Sequence, residues 1–332
     1  MAATMGFGAN IGNTLENTYQ WETGWGQPLI TQQYINGMAN NGIKSIRVPV
    51  AWNTYAVNGV VPSDKMARVH QVVQWIVSAG MVAVVNIHWD GGWINNENNV
   101  NRYTLTDDVR AKFRSYWEQI AAAFADVGNQ LVFESMNEEG VFYVNGVNNG
   151  TPDYAPLNEL NQMFVDTVRN ASGPNQSRYL LIAGFGTDIA KTCVDAFQMP
   201  SDPAGEGKLF LSLHYYTPFN FCGLEQVASW GTPTTTWGTA AETAELQRNF
   251  DKLAAFCAAR HTVAIIGEFT VTKGSGAYIR DPASRVLWWE SVIKAAQSRA
   301  MVPMLWDTGD EISRVDGSYI DQFPTVKADL SL

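Results

Sequence analysis

The stretch LVFESMN, residues 131–137, begins as a buried β-strand and ends in polar residues. An uninterrupted apolar run is typical of a strand covered on both faces, as the strands of a parallel sheet are. Glu134 falls inside the run, and Glu138 and Glu139 follow directly after it. Because a buried carboxylate is costly without a compensating partner, the stretch predicts a parallel strand whose carboxyl end lies at a functional site.

Seven further strand-like runs recur along the chain at wide and fairly even intervals. They cover residues 5–12, 43–50, 81–88, 178–185, 209–216, 262–269 and 302–307. Helix-like patterns separate most of them, over residues 65–79, 107–124, 242–259 and 282–299. This alternation in 332 residues predicts an α/β fold, a closed (β/α)8 TIM barrel forming one domain over residues 1–332. A doubly wound open sheet is the alternative, but its phosphate-binding glycine fingerprint is missing.

The composition indicates a folded, acidic protein that is rich in aromatic residues. Hydrophobic residues make up 46% of the chain, with 12 Trp, 12 Tyr and 15 Phe. The net charge is −10, and Lys and Arg form no cluster, so nucleic acid and anionic membrane surfaces are poor partners. No apolar run reaches the length of a membrane span. We expect a neutral ligand held by flat apolar faces.

The cysteines and the start of the chain point to no redox or targeting device. Cys193, Cys222 and Cys257 match no metal or redox spacing, so we expect packed or free thiols. A Cys193–Cys222 or Cys222–Cys257 bridge is the alternative. The first residues have no basic region followed by an apolar core, so we expect no secretory leader in this chain.

The polar residues that follow the predicted strands are the candidates for chemistry. The sequence has no G-x-S-x-G, P-loop or H-E-x-x-H motif and only four histidines, so we predict no metal and no other cofactor. The strand-end candidates are Arg47, His88, Trp89, Asp90, Asn137, Glu138, Glu139, His214, Tyr216, Glu268, Trp306 and Asp307. In a barrel these ends meet on one face, and the long loop-like segments 137–158 and 218–238 would border that face.

Two glutamates in a cleft lined by Trp and Tyr predict glycoside hydrolysis. One carboxyl group, from Glu138 or Glu268, would protonate the departing glycosidic oxygen, and the other would attack or assist at the anomeric carbon. A carbohydrate-binding protein on an inactive scaffold is an alternative, and the presence of both glutamates disfavours it. An unrelated barrel enzyme would require a phosphate site or a Schiff-base lysine, and no lysine ends a predicted strand.

The same residues resemble glycoside hydrolase family 5, most closely its bacterial endo-β-1,4-glucanase branch. The matching motifs run in order through nearly the whole chain: GNTLE (12–16), ETGWG (22–26), IRVPVAW (46–52), NIHWDGGW (86–93), MNE (136–138), HYYTP (214–218), IGEF (266–269) and LWDTGD (305–310). The resemblance implies a retaining (β/α)8 enzyme whose acid/base follows strand 4 and whose nucleophile lies on strand 7. It implies a secreted, extracellular enzyme whose partner is a polysaccharide or oligosaccharide, and we expect a monomer.

Transferred residue by residue, the resemblance makes Glu138 the acid/base and Glu268 the nucleophile. Arg47 and Tyr216 would hold Glu268 ionised and oriented. Asn137 would bond the 2-hydroxyl group of the sugar, a contact that strengthens in the transition state.

The remaining positions would contact the sugar. His88 and His214 would bond hydroxyl groups or the acid/base, and Trp306 would form the floor of the subsite for the cleaved unit. Many relatives carry a second histidine where this chain has Trp89, so the indole is expected to supply a stacking surface there. The resemblance favours β-1,4-glucan, with mannan, xyloglucan and mixed-linkage glucan left open as alternatives.

The three glutamates of residues 134–139 are expected to differ in role. Alternation along a strand places Val132, Glu134, Met136 and Glu138 on one face. Glu134 would lie one layer below Glu138, with Arg47 as its candidate partner. Glu139 would point away from that face as a loop carboxylate without a role.

Overall fold

The computed structural model describes residues 1–97, 100–148 and 150–332, and its centre is a closed barrel. Eight parallel strands follow one another in sequence order around the barrel, and β8 pairs with β1. The strands are β1 Gly8–Asn10, β2 Ser45–Val48, β3 Val82–Asn86, β4 Leu131–Glu134, β5 Leu180–Ala183, β6 Leu209–His214, β7 Ala264–Phe269 and β8 Val302–Leu305. The predicted TIM barrel is confirmed.

The longer helices between the strands cover the outside of the barrel, and the described residues form ten α-helices in all. They are α1 Ala2–Met5, α2 Gln32–Asn40, α3 Ser63–Ser78, α4 Asp107–Ala123, α5 Ala155–Asn170, α6 Ile189–Thr192, α7 Phe219–Cys222, α8 Ala240–Ala259, α9 Pro282–Gln297 and α10 Phe323–Leu330. Short 3-10 helices cover Trp21–Thr23, Val144–Gly146, Gly173–Gln176, Phe185–Thr187 and Gly276–Tyr278.

Capping residues explain where the long helices begin. The Thr239 side chain accepts a hydrogen bond from the Glu242 amide, and the Glu242 carboxylate accepts one from the Thr239 amide, which forms a capping box at α8. The Asp281 side chain caps α9, where Pro282 occupies the first turn without needing an amide donor.

Each predicted strand exists, but most end earlier than predicted, and the named helix predictions match only α3, α4, α8 and α9. The predicted strand 5–12 overlaps α1, which ends at Met5, and is reduced to Gly8–Asn10. Helix α2 was missed, and α5 starts at Ala155, inside the predicted loop 137–158. Its first turn, Ala-Pro-Leu-Asn, carries the polar and proline residues that also mark loops, so composition alone did not separate the two.

The barrel interior changes from apolar to polar along the strands. A small inner cluster fills it, made of Met5, Val82, Val84, Val132, Leu181, Phe210, Ile265, Val302 and Met304. Met5 comes from α1, which therefore plugs the amino-terminal end. Towards the carboxyl ends, fully buried polar side chains replace apolar ones: Asn10, Arg47, Asn86, Glu134 and Ser212. This polar layer supports the face on which the site lies.

The alternation predicted for residues 132–138 holds only for the strand itself. Val132 belongs to the inner cluster, but Met136 packs in the outer core between strands and helices. The prediction for Met136 was wrong because β4 ends at Glu134, after which the backbone no longer alternates.

The described residues contain no helix that is long and apolar enough to cross a membrane. Cys193, Cys222 and Cys257 are unpaired thiols, which confirms the expectation of packed or free cysteines.

Replacing Arg178 with alanine tests the amino-terminal end of the barrel, away from the site. The buried Arg178 guanidinium donates to the carbonyl groups of Phe124, Val127, Gly128 and Leu131 at 2.9–3.1 Å. The substitution removes all four of these buried hydrogen bonds, and among the described residues only the Phe124 and Gly128 carbonyls keep a backbone donor, from Val127 and Leu131. We therefore expect a loss of about 3–5 kcal/mol in unfolding free energy, measured by chemical denaturation.

Replacing Arg110, which forms exposed ion pairs with Asp107 and Glu159, is the matched control and should cost at most about 1 kcal/mol. Equal costs for the two arginines would contradict the structural role of Arg178.

Candidate active site

Arg47 is completely buried and lies at the centre of the hydrogen-bond network of the polar layer. Its Nε donates to Glu134 Oε2 at 2.6 Å, and its Nη1 donates to Glu268 Oε1 at 2.7 Å. Nη1 also reaches Asn10 Oδ1 at 2.9 Å, and Nη2 reaches Asn137 Oδ1 at 2.8 Å. One guanidinium therefore links β1, β2, the end of β4 and β7.

Glu134 is a supporting residue, since it is buried below the cleft. Its second oxygen accepts a hydrogen bond from Ser212 on β6 at 2.5 Å. The predicted pairing of Glu134 with Arg47 is confirmed, whereas Ser212 was not predicted. Burial alone would lower the pKa of Arg47, but the carboxylates of Glu134 and Glu268 outweigh it and raise that pKa, so the guanidinium stays charged.

Glu268 is held at both carboxylate oxygens. Oε1 accepts a hydrogen bond from Arg47 Nη1, and Oε2 accepts one from the Tyr216 hydroxyl at 3.0 Å. Burial and the neighbouring Glu268 charge raise the pKa of Tyr216 well above its usual value, which keeps the hydroxyl a donor. The Asn10 amide also donates to the Gly267 carbonyl at 2.8 Å, so the backbone before Glu268 is fixed as well.

Glu138 has a different environment, with its side chain half exposed to the cleft. His214 Nδ1 lies 2.7 Å from Glu138 Oε1 and 3.5 Å from Glu268 Oε2. One oxygen from each of the two glutamates and this nitrogen all lie within 4.8 Å of one another. So short a separation suits direct attack by one carboxylate, since an inverting pair stands about 6.5–9.5 Å apart to admit water.

Burial raises the pKa of Glu138, but the hydrogen bond and charge of His214, aided by Arg47, outweigh this effect and lower it. The lowered pKa favours the ionised form of Glu138 in the free protein. A general acid, in contrast, must carry a proton when the substrate is bound. A ligand that covers Glu138 would exclude water and favour the protonated form.

Aromatic rings border the two glutamates. His88 and Trp306 stack with ring centroids 5.7 Å apart and an interplanar angle of 9°. Trp306 is only partly buried, and Gly12 lies so close behind it that a Cβ there would stand 3.0 Å from the ring. Trp89 is 44% exposed on the same side. Burial, with the charges of Arg47 and His214, lowers the pKa of His88, so its imidazole is neutral.

Two cavities meet at Glu138, Glu268 and Trp306. One, of about 650 Å³, extends along the loops after β6, β7 and β8, past Phe219, Lys273 and Asp310. The other, of about 400 Å³, extends along the loops after β3 and β4, past His88, Trp89, Asn95, Glu97 and Tyr103. The reacting pair thus lies in the middle of an open cleft.

The structure brings together, on one face of the barrel, the nine residues for which the sequence analysis predicts a role. They are Arg47, His88, Trp89, Asn137, Glu138, His214, Tyr216, Glu268 and Trp306. Asn10 and Asn86 were missed, because buried asparagines inside strand-like runs have no distinctive sequence signal. Asp90 and Asp307 hold loops: Asp90 accepts the Thr54 amide at 2.8 Å, and Asp307 accepts the Glu311 amide at 2.9 Å.

The expectation for Glu139 needs correction. Glu139 lies in the loop after β4, but it is 2% exposed and neither carboxylate oxygen has a hydrogen-bond partner among the described residues. Burial raises the pKa of Glu139 well above its usual value. Glu139 lines a cavity together with Asn95 and Glu97 of the loop after β3, so its loop position did not imply exposure.

Within the described parts of the chain, one group of three His, Cys, Asp or Glu side chains is close enough to hold a metal ion, and it is Glu138, His214 and Glu268. The Arg47 guanidinium and the Tyr216 hydroxyl already occupy both oxygens of Glu268. A positive charge bonded directly to one of the three ligands disfavours a divalent cation there.

Comparisons with known proteins point to one family. The family model described as cellulase, glycosyl hydrolase family 5, matches residues 7–311. The chain is 33% identical to endoglucanase A of Paenibacillus barcinonensis, over 93% of this chain and 82% of that protein. It is 30% identical to a xyloglucan-specific endo-β-1,4-glucanase of Bacteroides ovatus, over 93% of this chain and 64% of that protein. The solved structure of a broad specificity endoglucanase from an uncultured bovine rumen ciliate matches with a TM-score of 0.85 at 27% identity, over 100% of this chain and 97% of that one.

The hydrogen bond from His214 predicts a pH effect on turnover of soluble β-glucan oligosaccharides. Because it lowers the pKa of Glu138, it moves the alkaline limb of the kcat/KM profile to lower pH. His214→Phe keeps an aromatic ring without a ring nitrogen, so the pKa of Glu138 should rise and this limb should move to higher pH.

In the unchanged protein, the alkaline limb of kcat should lie above that of kcat/KM, since kcat reports the substrate complex. His70, which pairs with Asp126 away from the site, supplies the control variant His70→Phe, whose profile should be unchanged. An unmoved alkaline limb in His214→Phe would show that His214 does not set the protonation of Glu138.

Proposed function

The chain belongs to the cellulase family, glycosyl hydrolase family 5, and on this premise we propose that it is a retaining, endo-acting β-1,4-glucanase. It is a glycoside hydrolase. The observation that carries the proposal is the contrast between two carboxyl groups whose oxygens lie within 4.8 Å of each other. Glu268 is fixed by Arg47 and Tyr216, whereas Glu138 is half exposed and bonded to His214. Because their environments differ, the two carboxyl groups suit different roles in the reaction.

In the first step of the proposed reaction, the Glu268 carboxylate attacks the anomeric carbon. The glycosidic carbon–oxygen bond breaks, and the departing oxygen takes the proton of Glu138. The product is a glycosyl ester on Glu268 with inverted configuration. Arg47 and Tyr216 hold the attacking group in one orientation through hydrogen bonds to its two oxygens, and Asn137 is placed to bond the 2-hydroxyl group.

In the second step, Glu138 is a carboxylate and accepts a proton from water. The water oxygen attacks the anomeric carbon, the ester bond breaks, and Glu268 is released as a carboxylate. Two inversions restore the β-configuration. His214 stays bonded to Glu138 in the free protein at 2.7 Å, which aligns the group that gives and takes the proton.

The open cleft supports attack within a polymer chain. Cavities extend from the reacting pair in two directions, so a polymer can enter without presenting an end. Trp306 and Trp89 offer flat faces for sugar rings, and His88 offers a neutral imidazole for hydroxyl groups. The names of the relatives support β-1,4-glucan as substrate, and one of them favours xyloglucan as the second candidate.

The proposed substrate also bears on where the enzyme acts. An intact polysaccharide does not cross a cell membrane, so we place the proposed enzyme outside the cell. The residues of the proposed site all come from one chain, which supports action as a monomer.

We predict that the protein rapidly lowers the viscosity of soluble β-1,4-glucan while few reducing ends appear. Internal cleavage shortens chains early, whereas release from chain ends does not. The measurement is paired viscometry and reducing-sugar assay on β-1,4-glucan, xyloglucan, mixed-linkage glucan and mannan. Glu268→Gln is the control for contaminating activity. Release of short sugars without loss of viscosity would contradict endo action, and faster cleavage of xyloglucan would favour the second candidate.

Azide should distinguish the two glutamates on an aryl glycoside with a good leaving group. Glu138→Ala should still form the glycosyl ester, because the aryl oxygen leaves without a proton, and azide should then give the β-glycosyl azide. Glu268→Ala forms no ester, so azide should attack the opposite face and give the α-product. The products are identified by NMR.

Glu290, which pairs with Lys294 one turn further along α9 and does not line the cleft, supplies the control variant Glu290→Ala, which should retain full activity per folded molecule. Exchange of the two azide products would reverse the assignment of Glu138 and Glu268.

A further inference from the structure

The Glu139 carboxyl group is a buried polar group without a described role in the reaction. It is 2% exposed, and neither oxygen meets a hydrogen-bond donor or acceptor among the described residues. A buried group in this state loses its hydration without replacement, which costs roughly 1–3 kcal/mol and more if it is charged. This carboxyl group directly follows Glu138. Its surroundings indicate what could compensate the cost of burying it.

The surroundings of Glu139 supply oxygen atoms and negative charge. Glu139, Glu97 and Asn95 line the same cavity, formed by the loops that follow β3 and β4. The Asn95 side-chain oxygen already ties these loops, since it accepts the Val141 amide at 3.3 Å. The Glu97 carboxylate is folded back on Gly92, where a Cβ would lie 2.6 Å from Oε2.

No described basic side chain compensates this charge. The charged groups that act on Glu139 are the carboxylates of Glu138, Glu97 and Asp90. Lys112 lines a neighbouring cavity together with Glu97, but its ammonium group lies over the Trp93 ring at 5.2 Å and forms no ion pair with a described carboxylate. Asp90 is already satisfied by the Thr54 amide and hydroxyl, at 2.8 and 2.6 Å.

We propose that Glu139 and Glu97 form a binding site for a hard divalent cation, calcium by preference, that joins the loops after β3 and β4. The buried Glu139 carboxylate is the anchoring ligand, and Glu97 supplies the second charge. The Asn95 side-chain oxygen, which has a second lone pair, is placed to complete an oxygen-rich set.

The chemistry of the ligands favours calcium over other cations. Carboxylate and amide oxygens are hard donors, and calcium accepts six to eight of them at variable angles. Magnesium requires near-octahedral geometry and usually keeps several of its waters, so a set of two carboxylates and an amide oxygen suits it less well. Zinc prefers nitrogen or sulfur ligands, and neither His nor Cys lines this cavity except His88, which is stacked on Trp306.

The proposed ion has a structural consequence for the cleft. The loops it joins carry Trp89 and Glu138, so binding would stabilise the wall of the smaller cavity. The proposed site depends on the fold and on the burial of Glu139. It can therefore be tested without measuring catalytic activity.

The test is thermal unfolding of the full chain, stripped with EDTA and dialysed, with and without calcium chloride. At a concentration about 100-fold above the Kd, calcium should raise the Tm by roughly 3–5 °C. Isothermal titration calorimetry should give one site. Magnesium chloride at the same concentration should raise the Tm by less.

Three variants separate the site from non-specific effects. Glu139→Gln and Glu97→Gln should remove the calcium-dependent rise. Glu139→Gln should match or exceed the unchanged protein in Tm when calcium is absent, because it removes an uncompensated buried carboxylate, and this shows that the variant folds. Glu225→Gln, at an exposed glutamate of the loop after β6 that bonds Thr272, is the matched control and should keep the full rise.

Two results would overturn the proposal. One is a Tm that calcium leaves unchanged, with no heat of binding. The other is a calcium-dependent rise that persists in Glu139→Gln. The first of these results is explained if the Tm falls as the pH rises above the usual pKa of a glutamate and Glu139→Gln removes that fall, because Glu139 is then a neutral buried acid in the folded protein.

Discussion

The buried guanidinium of Arg47 is the interaction on which the rest of the site depends. It bonds two carboxylates, Glu134 and Glu268, at 2.6 and 2.7 Å, and two amides, Asn10 and Asn137, at 2.9 and 2.8 Å. One positive charge faces two negative ones, so the cluster remains anionic when both carboxylates are ionised. A lysine has no planar fork and cannot replace these contacts. Removing the arginine would leave uncompensated buried charges, which is strongly destabilising.

This network explains how two glutamates so close together differ. Arg47 and Tyr216 bond both oxygens of Glu268 from below, so the carboxylate is held in one orientation before a substrate arrives. Such preorganisation means that little rearrangement is needed as charge develops. Glu138 has one bond, from His214, and faces the cleft. Its protonation therefore depends on what covers it, which suits a group that must give a proton in one step and take one in the next.

The sequence predicted those features that follow from local pattern. Continuous apolar runs predicted eight strands, and the polar residues after them predicted the face that carries the site. The pairing of Arg47 with Glu134 could be expected because a carboxylate inside an apolar run requires a partner. Features that depend on the path of a loop could not be predicted. Met136 left its expected face because the strand ended, and Glu139 lies buried beside a cavity that it shares with a loop more than 40 positions earlier in the chain. Asn10 and Ser212 are ordinary strand residues until the barrel closes around them.

Glu268 is the residue expected to form a covalent bond with the sugar, and trapping that intermediate is the most direct test of this role. A 2-deoxy-2-fluoro cello-oligosaccharide with a good leaving group slows both steps, and its activated aglycone leaves without help, so the glycosyl ester should accumulate. Proteolysis and mass spectrometry should then find one added sugar on the peptide that contains Glu268, with none on the peptide that contains Glu138 and Glu139. A label on Glu138 or Glu139, or inactivation with no label on Glu268, would contradict the account.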